Sequence, residues 1–280
     1  MSDIQTLSSL KNFTNALPEQ PYIMPVLFVG HGSPMNGIED NEFSRRWTSI
    51  AKEIPTPAAV LVISAHWFTK GTQITAMDFP KTIHDFGGFP EALYQLQYPA
   101  PGHPNLAKET ASLIHTTEVE LDHDWGLDHG TWTIVRHMYP EANIPVLQLS
   151  IDYTKHPQFH YELAREIASL RKKGVLIMGS GNMVHNLRMV AWDKLNEPEY
   201  GYDWAHHMNQ QFKDFILNED HEKLIHYEQL GREAQLAIPT PEHYLPLLYT
   251  LGLKTKNEQV NFFNDKAVGG SLTMTSVQFG

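Results

Sequence analysis

Sixteen histidines and no cysteine stand among the 280 residues of this chain. A bound metal would therefore have nitrogen and oxygen ligands only, and thiol nucleophiles and disulfides are excluded. Three histidines follow short apolar runs directly: His31 after LFVG, His66 after LVISA, and His185 after the loop GSGNMV. Neutral imidazole is the commonest metal ligand, so His31 and His66 are read as ligand candidates. His129, in WGLDHGTW, and His243, in PTPEHYLPLL, are further candidates. His115, His137, His156, His160, His206, His207, His221 and His226 fall mostly on helix-like stretches, where imidazoles are usually solvated, and are set aside.

The C-terminal candidate requires a choice between neighbours, because Glu242 and His243 would lie about 100° apart on a helix and only one can face a cleft. With Thr240 as N-cap and Pro241 at the first position, His243 shares a face with Leu247 and Leu251, which favours the imidazole. A carboxylate in its place, as in sites of two histidines and one carboxylate, is the competing assignment. Other motifs fail on inspection. Around Ser180 there is no G-x-S-x-G register and no following Lys, which excludes a hydrolase elbow and a phosphate loop. Asp122 and Asp124 begin like a calcium loop, but Gly126 occupies a ligand slot and the later Glu is missing. The cluster Arg171, Lys172 and Lys173 is placed at a helix end, where cations offset the macrodipole.

Strand ends are what would gather such distant histidines. Four apolar runs, at 25–36, 58–67, 144–152 and 174–186, end in Gly, Ser, Asn or His and read as strands buried on both faces. Between the last two, Phe159, Leu163, Ile167 and Leu170 recur at helical spacing, predicting one helix over 157–173 that stops at Gly174. The alternation predicts an α/β fold, a single domain with a central, largely parallel or mixed sheet flanked by helices. Ligands of such sheets collect beyond the C-terminal ends of the strands. The segment 79–104 is rich in Pro, Gly and aromatics and reads as a folded loop able to roof a pocket. Residues 1–24 form a polar leader ahead of one catalytic domain at 25–280.

A formal charge of −11 is the wrong sign for holding a polyphosphate backbone, which argues against nucleic acid. The longest apolar stretch, 58–63, cannot cross a bilayer, and no export signal precedes Pro25, so a cytoplasmic location is expected. No residue pattern fixes an oligomeric state.

The segments GHGSPMN, SAHWF, HDFGGFPEALYQLQYPAPG, WGLDHGTW, GSGNMVHNLR and PTPEHYLPLLYTLG, in this order, resemble the class III (LigB-type) extradiol ring-cleavage dioxygenases, within them the 4,5-DOPA extradiol dioxygenase group. The resemblance runs from about Pro25 to the C-terminus. It implies an α/β enzyme with one mononuclear divalent metal at the positions matching His31, His66 and His243. It also implies an acid/base role for His185, which touches the metal when no substrate is bound. The implied reaction inserts both atoms of O₂ into a catechol beside its hydroxyls, giving a muconic semialdehyde. Catechol and O₂ are then the partners, with Fe(II) required for turnover and Zn(II) an alternative occupant on isolation. On the same basis His129 donates to bound oxygen or orients substrate, His84 and Phe86 line the substrate side, Phe89 adds an aromatic wall, and Arg188 is a candidate carboxylate clamp. Many related enzymes have a carboxylate as third ligand, whereas three imidazoles leave the metal more positive and suit zinc as well as iron. Two further readings compete: a zinc hydrolase with His185 as base, and a non-catalytic metal- or catechol-binding protein.

Overall fold

Val26 and Phe28 face one side of the first strand while Leu27 and Val29 face the other, and all four are buried. A strand of this kind needs cover on both faces, and two separate apolar clusters supply it. The structure, a computed structural model, describes residues 17–280. Most of the polar leader therefore lies outside the described residues.

The strands are β1 (Val26–Gly30), β2 (Ala59–Thr69), β3 (Thr72–Thr75), β4 (Val119–Asp122), β5 (Val146–Asp152), β6 (Val175–Gly181), β7 (Val260–Phe263), β8 (Ala267–Val268), β9 (Leu272–Thr273) and β10 (Ser276–Phe279). Eight of them form one sheet in the order β4-β3-β5-β2-β6-β1-β10-β7, and β8 pairs with β9 alone. The centre, β5-β2-β6-β1, is parallel. β10 joins β1 antiparallel, β7 joins β10 antiparallel, and β3 meets β5 antiparallel, so the sheet is mixed. All four expected strands form, with β1, β5 and β6 buried along their whole length.

The helices are α1 (Glu42–Glu53), α2 (Glu91–Tyr94), α3 (Pro104–Leu113), α4 (His129–Met138), α5 (Pro157–Glu166), α6 (Asp203–Leu217), α7 (His221–Ile225), α8 (Arg232–Ala237) and α9 (Leu245–Leu253). Trp47 and Ile50 of α1 and Trp132 and Val135 of α4 pack on one sheet face; Leu163 of α5 and the leucines of α9 pack on the other. α9 is apolar nearly all round, as a helix enclosed by protein must be.

Two expectations change. The helix predicted over 157–173 ends at Glu166, and Ala168–Lys173 continues as a tighter 3₁₀ segment before Gly174 stops it at φ +74°. The basic cluster does end that segment, as expected, and Arg171 does more than offset its dipole. It is buried, donates to the carbonyls of Met24 and Leu253, and pairs with Glu258. His160, set aside as a solvated helix residue, is fully buried with Nδ1 3.0 Å from the Tyr249 hydroxyl.

Candidate metal centre

His31 leaves the end of β1, its backbone N–H bonded to the Gly181 carbonyl at 3.2 Å. Its Nδ1 lies 3.0 Å from Ser180 Oγ, and that hydroxyl donates its one proton to the Gly130 carbonyl. The serine can then only accept, so Nδ1 of His31 carries the proton and Nε2 is left with a free lone pair.

His66 corrects the expected strand end, because β2 runs on to Thr69 and holds His66 inside it. Between Ile63 and Phe68 the strand spends five residues where β5 advances from Leu149 to Ile151. The resulting bulge re-aims a side chain that regular alternation would leave in the sheet, a common device beside active sites. Ser64 Oγ supports it, donating to Asp128 Oδ1 at 2.7 Å and accepting the His66 backbone N–H at 3.3 Å. His66 Nε2 then comes within 3.0 Å of His31 Nε2.

His129 opens α4, where the Asp128 side chain caps the helix by accepting the Thr131 N–H. Asp128 is wholly buried and also accepts from Gln148 Nε2. Burial pushes its carboxyl above the usual range, with nearby Asp85 adding to the effect and the Gln148 and Ser64 hydrogen bonds opposing it. Asp85, from the 79–104 loop, accepts the His129 backbone N–H at Oδ1 and lies 2.9 Å from His129 Nδ1 through Oδ2.

His185 follows β6 by a short loop, its backbone N–H bonded to the Ala237 carbonyl. His243 also departs from expectation, sitting in a turn rather than on a helix begun by Thr240. The N–H groups of Tyr244 and Leu245 both return to the Pro241 carbonyl, Thr240 Oγ1 bonds Glu242 instead of capping, and α9 starts only at Leu245. The face shared with Leu247 and Leu251 therefore does not orient His243. Contact with β6 does: the Asn182 N–H donates to the His243 carbonyl at 2.9 Å, and a Cβ on Gly181 would meet that oxygen at 2.1 Å. Only glycine lets the strand end approach this closely.

The ring centres of His31, His66 and His243 stand 5.0, 5.2 and 5.1 Å apart, a nearly equilateral triangle. Imidazoles bound to one ion at about 2.0–2.1 Å in tetrahedral directions would have ring centres about 5 Å apart. His129 lies 3.8 Å from the His66 ring, and His185 stacks on His243 at 3.6 Å. His243 Nδ1 is buried without a hydrogen bond, its nearest carboxylate oxygen being Glu242 Oε1 at 3.6 Å. Burial, and then the neighbouring imidazoles, hold His31 and His243 far below the ordinary histidine range. His66 falls to about 3 and His185 to about 4, again chiefly by burial. All four rings are thus neutral near pH 7 and offer lone pairs, as a cation requires. The residues present fit a divalent metal.

Two groups of close ligand atoms result, His31 with His66 and His129, and His185 with Glu242 and His243. Glu242 is thus at the cluster beside His243, though more exposed. Phe86 sets its ring edge-on to His129 at 5.6 Å and to Phe89 at 5.3 Å. His84 is spent elsewhere, 2.9 Å from the Leu96 carbonyl and packed among Phe86, Tyr94 and Trp132. Arg188 is exposed on the 3₁₀ turn Leu187–Met189. Sequence reasoning missed Asp85, Asp128, Ser64 and Ser180. The one available signal was that Asp85 and Asp128 each directly adjoin a candidate histidine.

This architecture is that of an α/β protein whose sheet and adjoining turns gather histidines into one site that fits a divalent metal. A family model described as the catalytic LigB subunit of aromatic ring-opening dioxygenase matches residues 24–280, and the chain belongs to that family. It is 47% identical over 262 residues to 4,5-DOPA dioxygenase extradiol of Escherichia coli K12, covering 92% of this chain and 95% of that one. It is 35% identical to the Beta vulgaris protein of the same name, covering 92% and 97%. A crystal structure of an uncharacterized Escherichia coli K12 protein superposes with a TM-score of 0.79 at 42% identity, over 92% of this chain and all of that one.

Proposed function

We propose that this chain is an extradiol dioxygenase that opens a catechol ring such as that of L-DOPA at the 4,5 bond, giving a muconic semialdehyde. The observation that carries it is the triangle of neutral, buried imidazoles from His31, His66 and His243 in a chain of the ring-opening dioxygenase family. His31, His66 and His243 would hold the metal, with His185 beside them when no substrate is bound. Fe(II) held there would supply the redox chemistry that couples catechol to O₂, which redox-inert Zn(II) cannot supply.

The protein supplies the rest. His185, kept neutral by burial with its pKa at about 4, takes the proton of a catechol hydroxyl at a ring nitrogen. Stacking on His243 holds its ring next to the ligand set. His129 has Nδ1 committed to Asp85, which leaves Nε2 to orient substrate or oxygen by hydrogen bonding. Phe86 and Phe89 give an aromatic ring an apolar wall. Arg188 is the proposed partner of a substrate carboxylate at the exposed rim. Among the described residues no helix is long and apolar enough to cross a membrane, which accords with a cytoplasmic site of action.

The test is anaerobic loading with Fe(II), followed by L-DOPA and measured O₂ consumption. One O₂ consumed per ring-opened coloured product supports the proposal. No uptake with L-DOPA or other catechols, or oxygen-independent turnover of an ester by the zinc form, contradicts it.

A further inference from the structure

We propose that Asp85 is a positioning residue that locks the rings of His66 and His129 together and supplies the negative charge a three-imidazole site lacks. This rests on the reading that His66 binds a metal. Both carboxylate oxygens are in use. Oδ1 accepts the His129 backbone N–H at 2.9 Å, while Oδ2 lies 2.9 Å from His129 Nδ1 and 3.4 Å from His66 Nδ1. One oxygen thus faces the outer nitrogens of two rings whose centres are 3.8 Å apart. An ionised carboxylate only accepts, so it fixes the Nδ1–H form of His129, which it bonds, and its charge 3.4 Å from His66 Nδ1 favours a proton on that nitrogen too, leaving Nε2 bare. That is the form His66 needs to present Nε2 beside His31 Nε2.

The segment carrying Asp85 is anchored as a positioning element must be. The Ile83 N–H bonds the Leu127 carbonyl at 2.7 Å, and the Leu127 N–H returns to Lys81 at 2.8 Å. Trp132 Nε1 donates to the Ile83 carbonyl at 2.8 Å, and His84 is fixed on Leu96. The residues just before Asp85 are therefore tied to the segment that delivers His129, and Phe86 just after it sets its ring against His129. His84 contributes here as a brace through Nε2.

Among the described residues no other acidic residue is placed to take the part. Asp128 is turned to Ser64, Gln148 and the Thr131 N–H. Glu242 stands on the far side, 3.6 Å from His243. A site of two histidines and one carboxylate carries its compensating charge on a ligand. Here it sits one bond further out, on the partner of a ligand.

The test uses the full chain and Zn(II) alone as probe, with affinity measured by chelator competition. Asp85→Asn keeps the shape, but its single carbonyl oxygen cannot serve both the His129 backbone and the two rings. Zn(II) affinity should fall about 10- to 100-fold, and the visible spectrum of the Co(II) form should shift, with the metal-free unfolding midpoint close to wild type. Asp85→Glu, which keeps the charge, should recover part of the affinity, and Asp85→Ala gives the same readout should the amide variant not fold. Zn(II) affinity and Co(II) spectrum both unchanged in Asp85→Asn, while His66→Ala loses the metal, would overturn the role of Asp85 alone. Unchanged affinity in His66→Ala as well would overturn the metal-site reading beneath it.

Discussion

Adding one methyl group at Gly181 tests whether the fold, rather than the ligands alone, makes the site. The new Cβ would lie 2.1 Å from the His243 carbonyl oxygen and 3.0 Å from its carbon. These are backbone atoms, so no rotamer change relieves the clash. The His243 turn must recede by about 1 Å to reach even a tight non-bonded contact. That movement stretches the Asn182 N–H bond to His243, now 2.9 Å, and carries the ring out of its triangle with His31 and His66. Overpacking of this kind costs about 1–3 kcal/mol, with about 1 kcal/mol more for the weakened hydrogen bond. A displacement of about 1 Å in a reacting constellation costs roughly 100-fold in rate. Gly181→Ala should therefore lose 2–4 kcal/mol by urea unfolding (~, summed from the same terms), bind Zn(II) at least about tenfold more weakly, and turn over about 100-fold more slowly. Gly252→Ala is the control, since its Cβ would meet the Tyr161 carbonyl at 2.2 Å, far along the chain at the end of α9. It should lose comparable stability while its metal affinity stays near wild type. Equal metal loss in the two variants, or none in Gly181→Ala, would refute the reasoning.

His31→Ala and His66→Ala should each lose metal and activity together, whereas His185→Ala should keep more than about half the metal and lose about 100- to 10,000-fold in kcat; metal analysis and O₂ uptake decide, and full occupancy in both of the first two contradicts the assignment. Asp128→Ala leaves Ser64, Gln148 and the Thr131 N–H without their acceptor and should cost about 3–5 kcal/mol. Asp128→Asn, whose neutral side chain burial already favours, should cost less in the same urea experiment, and equal losses would contradict the network. The metal-free protein should weaken as the pH falls from 6.5 to about 4. His160 and His185, both held at about 4, and His66, at about 3, stay neutral when folded while their unfolded counterparts take up protons. Depressed histidine pKa values give stability that is full above 6.5 and lost on acidification, about 3 kcal/mol for His160 alone by pH 4. A urea midpoint flat across this range would contradict the burial of these rings.

The core of the fold was legible because strands buried on both faces leave uninterrupted apolar runs, and all four were read correctly. β3, β4 and β7 to β10 were not, being short and partly polar pieces that owe their pairing to neighbouring strands rather than to their own pattern: β10 adds to β1, β7 to β10, and β8 only to β9. His31, His66 and His185 could be singled out because an apolar run ahead of each is visible in sequence, and His243 was preferred to Glu242 on an assumed helix face. The reason for their aim could not be read there. His66 owes its direction to a bulge whose extra residues show only against β5, and His243 to a glycine on another strand. The helix end at Glu166 was hidden because Ile167 and Leu170 keep helical spacing through a tighter turn. Asp85 escaped because a carboxylate acting through another side chain has no spacing rule; its partner lies 44 residues away.

The central claim is that His31, His66 and His243 close on one ion. Anomalous diffraction at the metal edge from crystals of the metal-loaded protein tests it most directly. One peak equidistant from the Nε2 atoms of these three residues, at about 2.0–2.1 Å from each, is the result predicted. A peak bound by Glu242 in place of His243, or lying away from His31 and His66, would contradict it.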